Sequence, residues 1–557
     1  MSARGAAAFV LALAPALAGG APLPAGGTSY RTGDPAVDGL QALIAQTLEA
    51  NRKTFAGRTG TVKGFGAGTT YPQVWIRDSA TLLPLTRWQY DRVHLLSWLE
   101  EHLAHQNADG SLNDWVAAGD AARFKADAPR AREVHRAGGI VLSAGRNTTE
   151  ADQESSAVDA ARVIFDATRD VEWLRKPVAG RPVVDRLDAA LSFVAARRMS
   201  GGLVTAAFTA DWGDVSPVYA DQRVIYLDEA TPVVAGLYAS ALYVRAARGL
   251  AEMHRATGGT ARAARWAARS EAAAAAINRR LWQPRRGFYR LHLEVASPPG
   301  WTPPDDADMF ALGGNALAAL YRIADGPRAA RLMDVAERRR REHGLSTIGG
   351  VLLPPYPAGF FRHPILREPF TYQNGGQWDW WGGRFVLAEF ERGRAVRAME
   401  HLRALAARAT AAGGLHEWST RDGQGRGSPR YAGSAAALGA AVLQGLFGLD
   451  LGTSGLALHV RLGARSGEVR AHEPATGTTV AYRQDYDAKA RLLALSFESS
   501  APGTGRLEVL LPPGATPVSF EVDGRRRALP VVRTVGEDRY AVVRTDWKPH
   551  AIELALR

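Results

Sequence analysis

Between about residue 35 and residue 450, apolar residues recur at three- and four-residue spacing, the period that lines one face of an α-helix. No other feature of the chain constrains its fold as strongly. The pattern predicts helices near 35–52, 78–90, 92–106, 151–169, 182–199, 231–257, 259–282, 309–323, 327–343, 377–392, 394–412 and 431–447. Several neighbours are separated by only two or three residues, as antiparallel helical hairpins require. Twelve helices in six hairpins suit an (α/α)6 toroid, in which inner and outer helices alternate and the long connections gather at one end of a central cavity. An elongated α-solenoid would use the same hairpins, but it needs a side-chain signature repeated at a fixed period. None is present.

After Gly452 the texture changes to short alternating segments, among them Ala457 to Leu462, Arg491 to Phe497 and Arg506 to Leu511, separated by Gly, Pro and Asp turns. These predict a β-sandwich over 453–557, an accessory module without a catalytic cluster of its own. At the other end, Arg4 precedes an apolar run from Ala6 to Leu17 and the small-x-small site Ala16-Leu17-Ala18. Residues 1–18 therefore read as a signal peptide, residues 19–452 as the helical barrel, and the protein as exported, periplasmic or secreted. No later stretch reaches the ~20 apolar residues of a membrane span.

The formal charge of +12 over 557 residues could suggest nucleic acid. However, lysine is confined to Lys53, Lys63, Lys125, Lys176, Lys489 and Lys548, and the densest basic run, Arg338 to Arg341, reads as one solvated helix end. Nucleic acid is not an expected partner. Cysteine is absent, which excludes disulfides, thiolate zinc sites and cysteine nucleophiles.

The chemistry-bearing residues lie in the loops. Trp75-Ile76-Arg77-Asp78 can grip a polyol, with Asp accepting from two hydroxyls, Arg donating and the indole stacking on C–H faces. An Arg-Asp pair at a helix start is also an ordinary cap with a salt bridge. Glu154, in Glu150-Ala151-Asp152-Gln153-Glu154, either lines a sugar site or fills the first turn of a helix. In Asp211-Trp212-Gly213-Asp214, a carboxyl packed on indole can keep its proton near neutrality, as a general acid must. Gln377-Trp378-Asp379-Trp380-Trp381 offers stacking platforms and amide donors. His416-Glu417-Trp418 carries a candidate general base. It is not the zinc-protease helix, because Thr420 stands where the second His should be.

In these loops the chain resembles the six-hairpin glycosidases, the group that includes trehalases, processing α-glucosidase I and the amylo-1,6-glucosidase part of glycogen-debranching enzymes. Trp75-Ile76-Arg77-Asp78 resembles their sugar-gripping Trp-x-Arg-Asp loop, and Gln377-Trp378-Asp379 the Gln-Trp-Asp element of trehalases. Trp212-Gly213-Asp214 is similar to the Trp-x-Asp that holds the catalytic acid in debranching enzymes. The run from Glu417 through Gly425-Arg426-Gly427 to Tyr431-Ala432-Gly433-Ser434 resembles the segment after the catalytic base in α-glucosidase I.

The resemblance implies an exo-acting, inverting, α-glucosidase-like hydrolase of an oligosaccharide or glycoside, with Asp214 as general acid, Asp211 as its rival, and Glu417 as general base. Trp75, Arg77, Asp78, Glu154, Trp212, Gln377, Trp378, Asp379, Trp380, His416 and Trp418 are the expected sugar contacts. No cofactor or metal is expected. A phosphorylase on the same scaffold, which dispenses with the general base, and a glycan-binding protein without turnover stand as alternatives.

Overall fold

The computed structural model describes residues 27–119 and 132–557, so the expected leader over residues 1–18 lies outside it. Twelve long helices follow in chain order: α1 (Pro35–Asn51), α2 (Ile76–Thr86), α3 (Arg92–Ala104), α4 (Gln153–Thr168), α5 (Val183–Arg197), α6 (Leu237–Ala256), α7 (Thr260–Arg280), α8 (Leu312–Leu320), α9 (Gly326–Glu342), α10 (Asp379–Glu391), α11 (Ala395–Ala411) and α12 (Ala432–Ala440). A further short helix spans Val171–Arg175.

The even-numbered helices pack in a closed circuit: α2 on α4, α4 on α6, α6 on α8, α8 on α10, α10 on α12, and α12 back on α2. The odd-numbered helices lie against this circuit, for example α7 on α6 and α11 on α10. Burial follows the same division. Every residue of α12 is buried, whereas α7 buries a single stripe of Ala263, Trp266, Ser270, Ala273, Ala276 and Ile277. No helix among the described residues is long and apolar enough to cross a membrane.

The helix starts differ in kind. Three odd-numbered helices have aspartate caps: Asp34 accepts from Ala36 N at 3.1 Å, Asp91 from His94 N at 3.0 Å and Asp325 from Arg328 N at 2.9 Å. No even-numbered helix has a side-chain cap of its own; their first residues follow Trp75, Asp152, Gly236, Ala311, Trp378 and Tyr431.

Several expected helices are shorter than their sequence pattern, two of them by changing type. Residues 231–257 begin as a strand, Val233–Gly236, because β-branched Val233 and Val234 pair with His292–Ala296. Residues 431–447 leave the α-helix after Ala440 and finish as a π-helical turn, Ala441–Leu446. The long loops also contain small sheets. Arg52–Gly57 pairs with Gly60–Phe65, and Val74–Trp75 is one edge of a four-stranded sheet completed by Trp115–Ala118, Ile140–Gly145 and Arg132–Ala137.

The C-terminal region forms a seven-stranded and a five-stranded sheet. Alternate residues are buried along Gly467–Glu473 and the first part of Thr478–Asp487, so one face of each strand meets the core. The strand Ser29–Arg31, before α1, joins the larger sheet by pairing antiparallel with Gly467–Glu473. Leu449–Gly452 already belongs to the smaller one. Buried ions tie sheets to helices: Glu473 pairs with Arg87 beyond the end of α2 and with Arg169 at 2.8 Å, and Arg461 pairs with Glu391 at 2.8 Å.

Candidate active site

The loops leading into α2, α4, α6, α10 and α12 surround a pocket of about 540 Å³ that opens to solvent. Asp214 and Glu417 both line it, with Trp75, Arg77, Asp78, Trp212, Trp378 and Trp380. Much of its wall is buried: Asp78, Asp114, Trp212, Trp378, Trp380 and Glu417 are each less than a tenth exposed. The tryptophans brace one another, Trp212 meeting Trp378 edge-on at 5.4 Å between ring centroids and Trp380 stacking on Trp381 at 5.1 Å.

Glu417 precedes a two-residue strand, Trp418–Ser419, paired with Gly425–Arg426. Its Oε2 accepts from Ser428 N at 3.0 Å, and the Tyr71 hydroxyl donates to both carboxylate oxygens at 3.1 and 3.2 Å. Gly427 makes this approach possible. Its φ is +70°, and a Cβ there would lie 2.5 Å from Glu417 Oε2. Burial pushes the Glu417 carboxyl up to about 7, with the Ser428 and Tyr71 hydrogen bonds opposing the shift and the charges of Asp214 and Asp78 adding to it.

Asp214 lies in the irregular loop between α5 and α6, partly open to the pocket, and its Oδ1 accepts from the Gln373 amide at 3.0 Å. Asp211 points elsewhere. Its Oδ2 accepts from Gly314 N at 3.0 Å at the start of α8, and it lines a separate, smaller cavity with Tyr238 and His292. Burial pushes its carboxyl up to about 7 despite the backbone donors of Gly313 and Gly314.

Arg77 and Asp78 are both at the pocket, but Arg77 is already engaged. It donates to Asp152 at 2.6 and 3.2 Å and pairs with Glu150. Asp78 accepts from the Tyr431 hydroxyl at 2.9 Å, and burial pushes its carboxyl up to about 6.

Five expected sugar contacts do not line the pocket, each for a visible reason. Glu154 accepts from Leu112 N at 2.9 Å and from Arg146 at 2.6 Å, a buried clamp on the neighbouring loop. Gln377 accepts from the Thr347 hydroxyl at 2.8 Å and donates to Thr420 O at 2.8 Å, stapling two loops together. Asp379 pairs with Arg408 in the interior. His416 lies against Gly425 beneath the short hairpin, and Trp418 packs edge-on to Tyr372 at 6.4 Å.

Conversely, Tyr71, Asp114, Glu150, Tyr372, Gln373 and Tyr431 line the pocket although the sequence reading does not single them out as contacts. Glu150 and Tyr431 sit within segments already marked, and Tyr71, Tyr372 and Gln373 stand a few residues before Trp75 and Gln377, beside residues with stronger signals. Asp114 stands in Asn113-Asp114-Trp115, where an acid beside tryptophan is the same signal that flags Asp214 and Glu417. Among the described residues no group of three or more His, Asp or Glu side chains is arranged to hold a metal ion.

Residues 71–347 match the family model of the mannosylglycerate hydrolase MGH1-like glycoside hydrolase domain. Among solved structures, the GH63 mannosylglycerate hydrolase from Thermus thermophilus, in complex with glucose, is 19% identical, with 72% of this chain and 100% of that one covered and a TM-score of 0.52. The α-L-rhamnosidase from Dictyoglumus thermophilum is 10% identical over 95% of this chain, with a TM-score of 0.62. The GH78 rhamnosidase of Bacillus sp. GL1 is 14% identical over 87% of this chain, with a TM-score of 0.58. The chain spans only 50% and 43% of these two rhamnosidases' lengths, and at such identities the likeness is one of fold. Direct comparison with curated protein sequences gives no match. Residues 71–347 thus match a glycoside hydrolase domain of the mannosylglycerate hydrolase MGH1-like type, and the chain shares its fold with the GH63 and GH78 glycoside hydrolases.

Proposed function

We propose that the protein is an exo-acting, inverting glycoside hydrolase whose closed helical circuit is an (α/α)6 toroid and whose general acid and base are Asp214 and Glu417. One observation carries the reading: these two carboxyls, from loops about two hundred residues apart in sequence, line a single pocket walled by tryptophans. Exo action would follow from a pocket that admits only the terminal sugar of a chain. Asp211 is unsuited to the acid's role, because its carboxylate is turned to the start of α8.

Asp214 has one oxygen held by Gln373, leaving the other to carry a proton to the departing glycosidic oxygen. Glu417 receives donors from Ser428 and Tyr71, which favour the carboxylate that takes a proton from water. The water then attacks the anomeric carbon from the opposite face, and the configuration inverts. The leader expected over residues 1–18 would make this an exported enzyme.

The raised Glu417 carboxyl favours a second reading, in which the two roles are exchanged. Aryl glycosides separate them. Loss of the acid spares substrates with good leaving groups, whereas loss of the base does not. The test is turnover of α- and β-linked glycosides, with product anomers followed by NMR, for wild type, Asp214→Asn and Glu417→Gln. Initial release of the inverted anomer and a loss of about 10²–10⁴-fold in each variant are expected. First release of the retained anomer overturns inversion, and full activity of Glu417→Gln removes that residue from the mechanism.

A further inference from the structure

The proposed mechanism does not use Asp114, although Asp114 is the most isolated carboxyl in the pocket. It immediately precedes the strand Trp115–Ala118, with its backbone fixed on both sides: Asp114 N donates to Gly145 O at 2.8 Å, and Ile76 N donates to Asp114 O at 2.8 Å. Two residues earlier, Leu112 is gripped by Arg146 and Glu154. The backbone thus delivers the side chain to the pocket with little freedom to withdraw. Asp114 is 1% exposed, and neither of its carboxyl oxygens has a hydrogen-bond partner among the described residues.

A buried carboxyl without donors costs the folded protein stability, and such a group is normally paired or hydrated. One kept unpaired at the wall of a binding pocket has its hydrogen-bonding capacity free for a ligand. Its neighbours narrow the choice of ligand. The described lining residues include the acids Asp78, Asp114, Glu150, Asp214 and Glu417 and a single cation, Arg77. Arg77 is already paired with Asp152 and Glu150, so it has no unshared charge to offer an anion. A carboxylate brought into this pocket would give up its water among these acids, with no unshared cation among the described lining residues to compensate it. A sugar hydroxyl meets no such barrier, since it can donate to a carboxylate or accept from a carboxylic acid.

We propose that Asp114, with Glu150 beside it, binds ring hydroxyls of an uncharged sugar at the buried wall of the pocket, and that this acidic lining selects neutral glycosides over those carrying a carboxylate. The proposal rests on the reading of the pocket as a glycosidase site but extends to which substrates it takes. It differs in kind from the mannosylglycerate named for one structural relative, which bears an acid group.

Two measurements on the full chain test it. In the first, wild type, Asp114→Asn and Asp114→Ala are assayed on p-nitrophenyl glucosides, mannosides and rhamnosides, on their singly deoxygenated analogues, on p-nitrophenyl glucuronides and on mannosylglycerate. In the second, glucose, mannose, rhamnose and glucuronate are titrated calorimetrically into the same proteins. Expected are turnover of a neutral glycoside at least tenfold better than of the anionic ones, and a loss of about 10-fold to 150-fold in kcat/KM for Asp114→Ala, the range for a lost hydrogen bond to a charged group. That loss should vanish on the one analogue lacking the bound hydroxyl. The melting temperature of Asp114→Asn should stay close to that of wild type, because the carboxyl it replaces has no hydrogen-bond partner to lose.

Preference for the glucuronide or mannosylglycerate overturns the proposal, as does equal loss on every deoxy analogue. A fall in melting temperature in both variants would make Asp114 a structural residue and overturns it too. Turnover with unchanged Asp114 variants refutes this inference and leaves the hydrolase reading standing. Neutral-sugar binding that Asp114→Ala abolishes, without turnover of any glycoside, supports the inference and refutes the hydrolase. Neither binding nor turnover in wild type refutes both.

Discussion

Glu417 shows how little of a side chain's chemistry is set by its own type. A glutamate on a loop is ordinarily a solvated acid; here burial raises it to about 7 while Tyr71 and Ser428 hold its oxygens in place. With Glu417 as base, kcat/KM should climb as pH rises through about 7 and then level off, since only the carboxylate can take a proton. A fall through the same range would instead support the exchanged roles. Stability should run the other way. Asp78, Asp211 and Glu417 all have folded-state values above their ordinary ones, so each favours folding below about pH 4 and loses that contribution as pH rises through about 6 to 7. The melting temperature is therefore expected to drop between pH 5 and pH 8, and less steeply in Glu417→Gln. Most of the carboxyls and indoles of the pocket were legible at this scale, because an acid beside tryptophan in a loop is rare as surface decoration. Gln377, Asp379 and Glu154 carried similar local signals yet serve as staples and buried pairs. What separates the two sets is the direction of a side chain, which neighbouring residues do not encode.

Among the elements, the even-numbered helix starts are the ones that meet the pocket. They lack caps of their own, and the segments entering α2, α4, α6, α10 and α12 carry the residues that line it. At α4 the residue in the capping position, Asp152, spends its carboxylate on Arg77 instead. At α8 the donors are taken by Asp211 from a distant loop. The short hairpin behind Glu417 depends on Gly427, whose left-handed backbone and missing Cβ leave room for the carboxylate. Gly427→Ala is expected to cost about 1–2 kcal/mol of stability from the backbone alone. It should also lower kcat more than tenfold by displacing Glu417, with KM less affected; unfolding curves and steady-state kinetics check the two effects. Helix positions were legible because the apolar period is local. The small sheets inside the loops were not, since strands such as Val74–Trp75 and Trp115–Ala118 are defined by partners about forty residues away.

For the whole molecule, helical circuit and C-terminal sheets share one continuous core, and the buried Glu473 joins them by pairing with Arg87 and Arg169. Glu473→Ala strands the buried Arg87 guanidinium without its carboxylate, and a loss of about 3–5 kcal/mol is expected in denaturant unfolding. Glu473→Gln, which can still accept a hydrogen bond, should lose less. An unchanged midpoint in the alanine variant would show that the contact contributes nothing to holding the two parts together. The apolar rhythm of the chain by itself determined twelve helices and a β-rich C-terminus, because burial of one face is written into residue spacing. Its loops likewise marked the acids and tryptophans that chemistry on sugars needs. The tertiary structure alone decided that Asp214, not Asp211, faces the pocket, that Arg77 is already neutralised, and that Asp114 stands there unpaired. Each of those depends on groups brought together from distant parts of the chain, where burial and the nearest charge, not the residue type, set what a carboxyl can do.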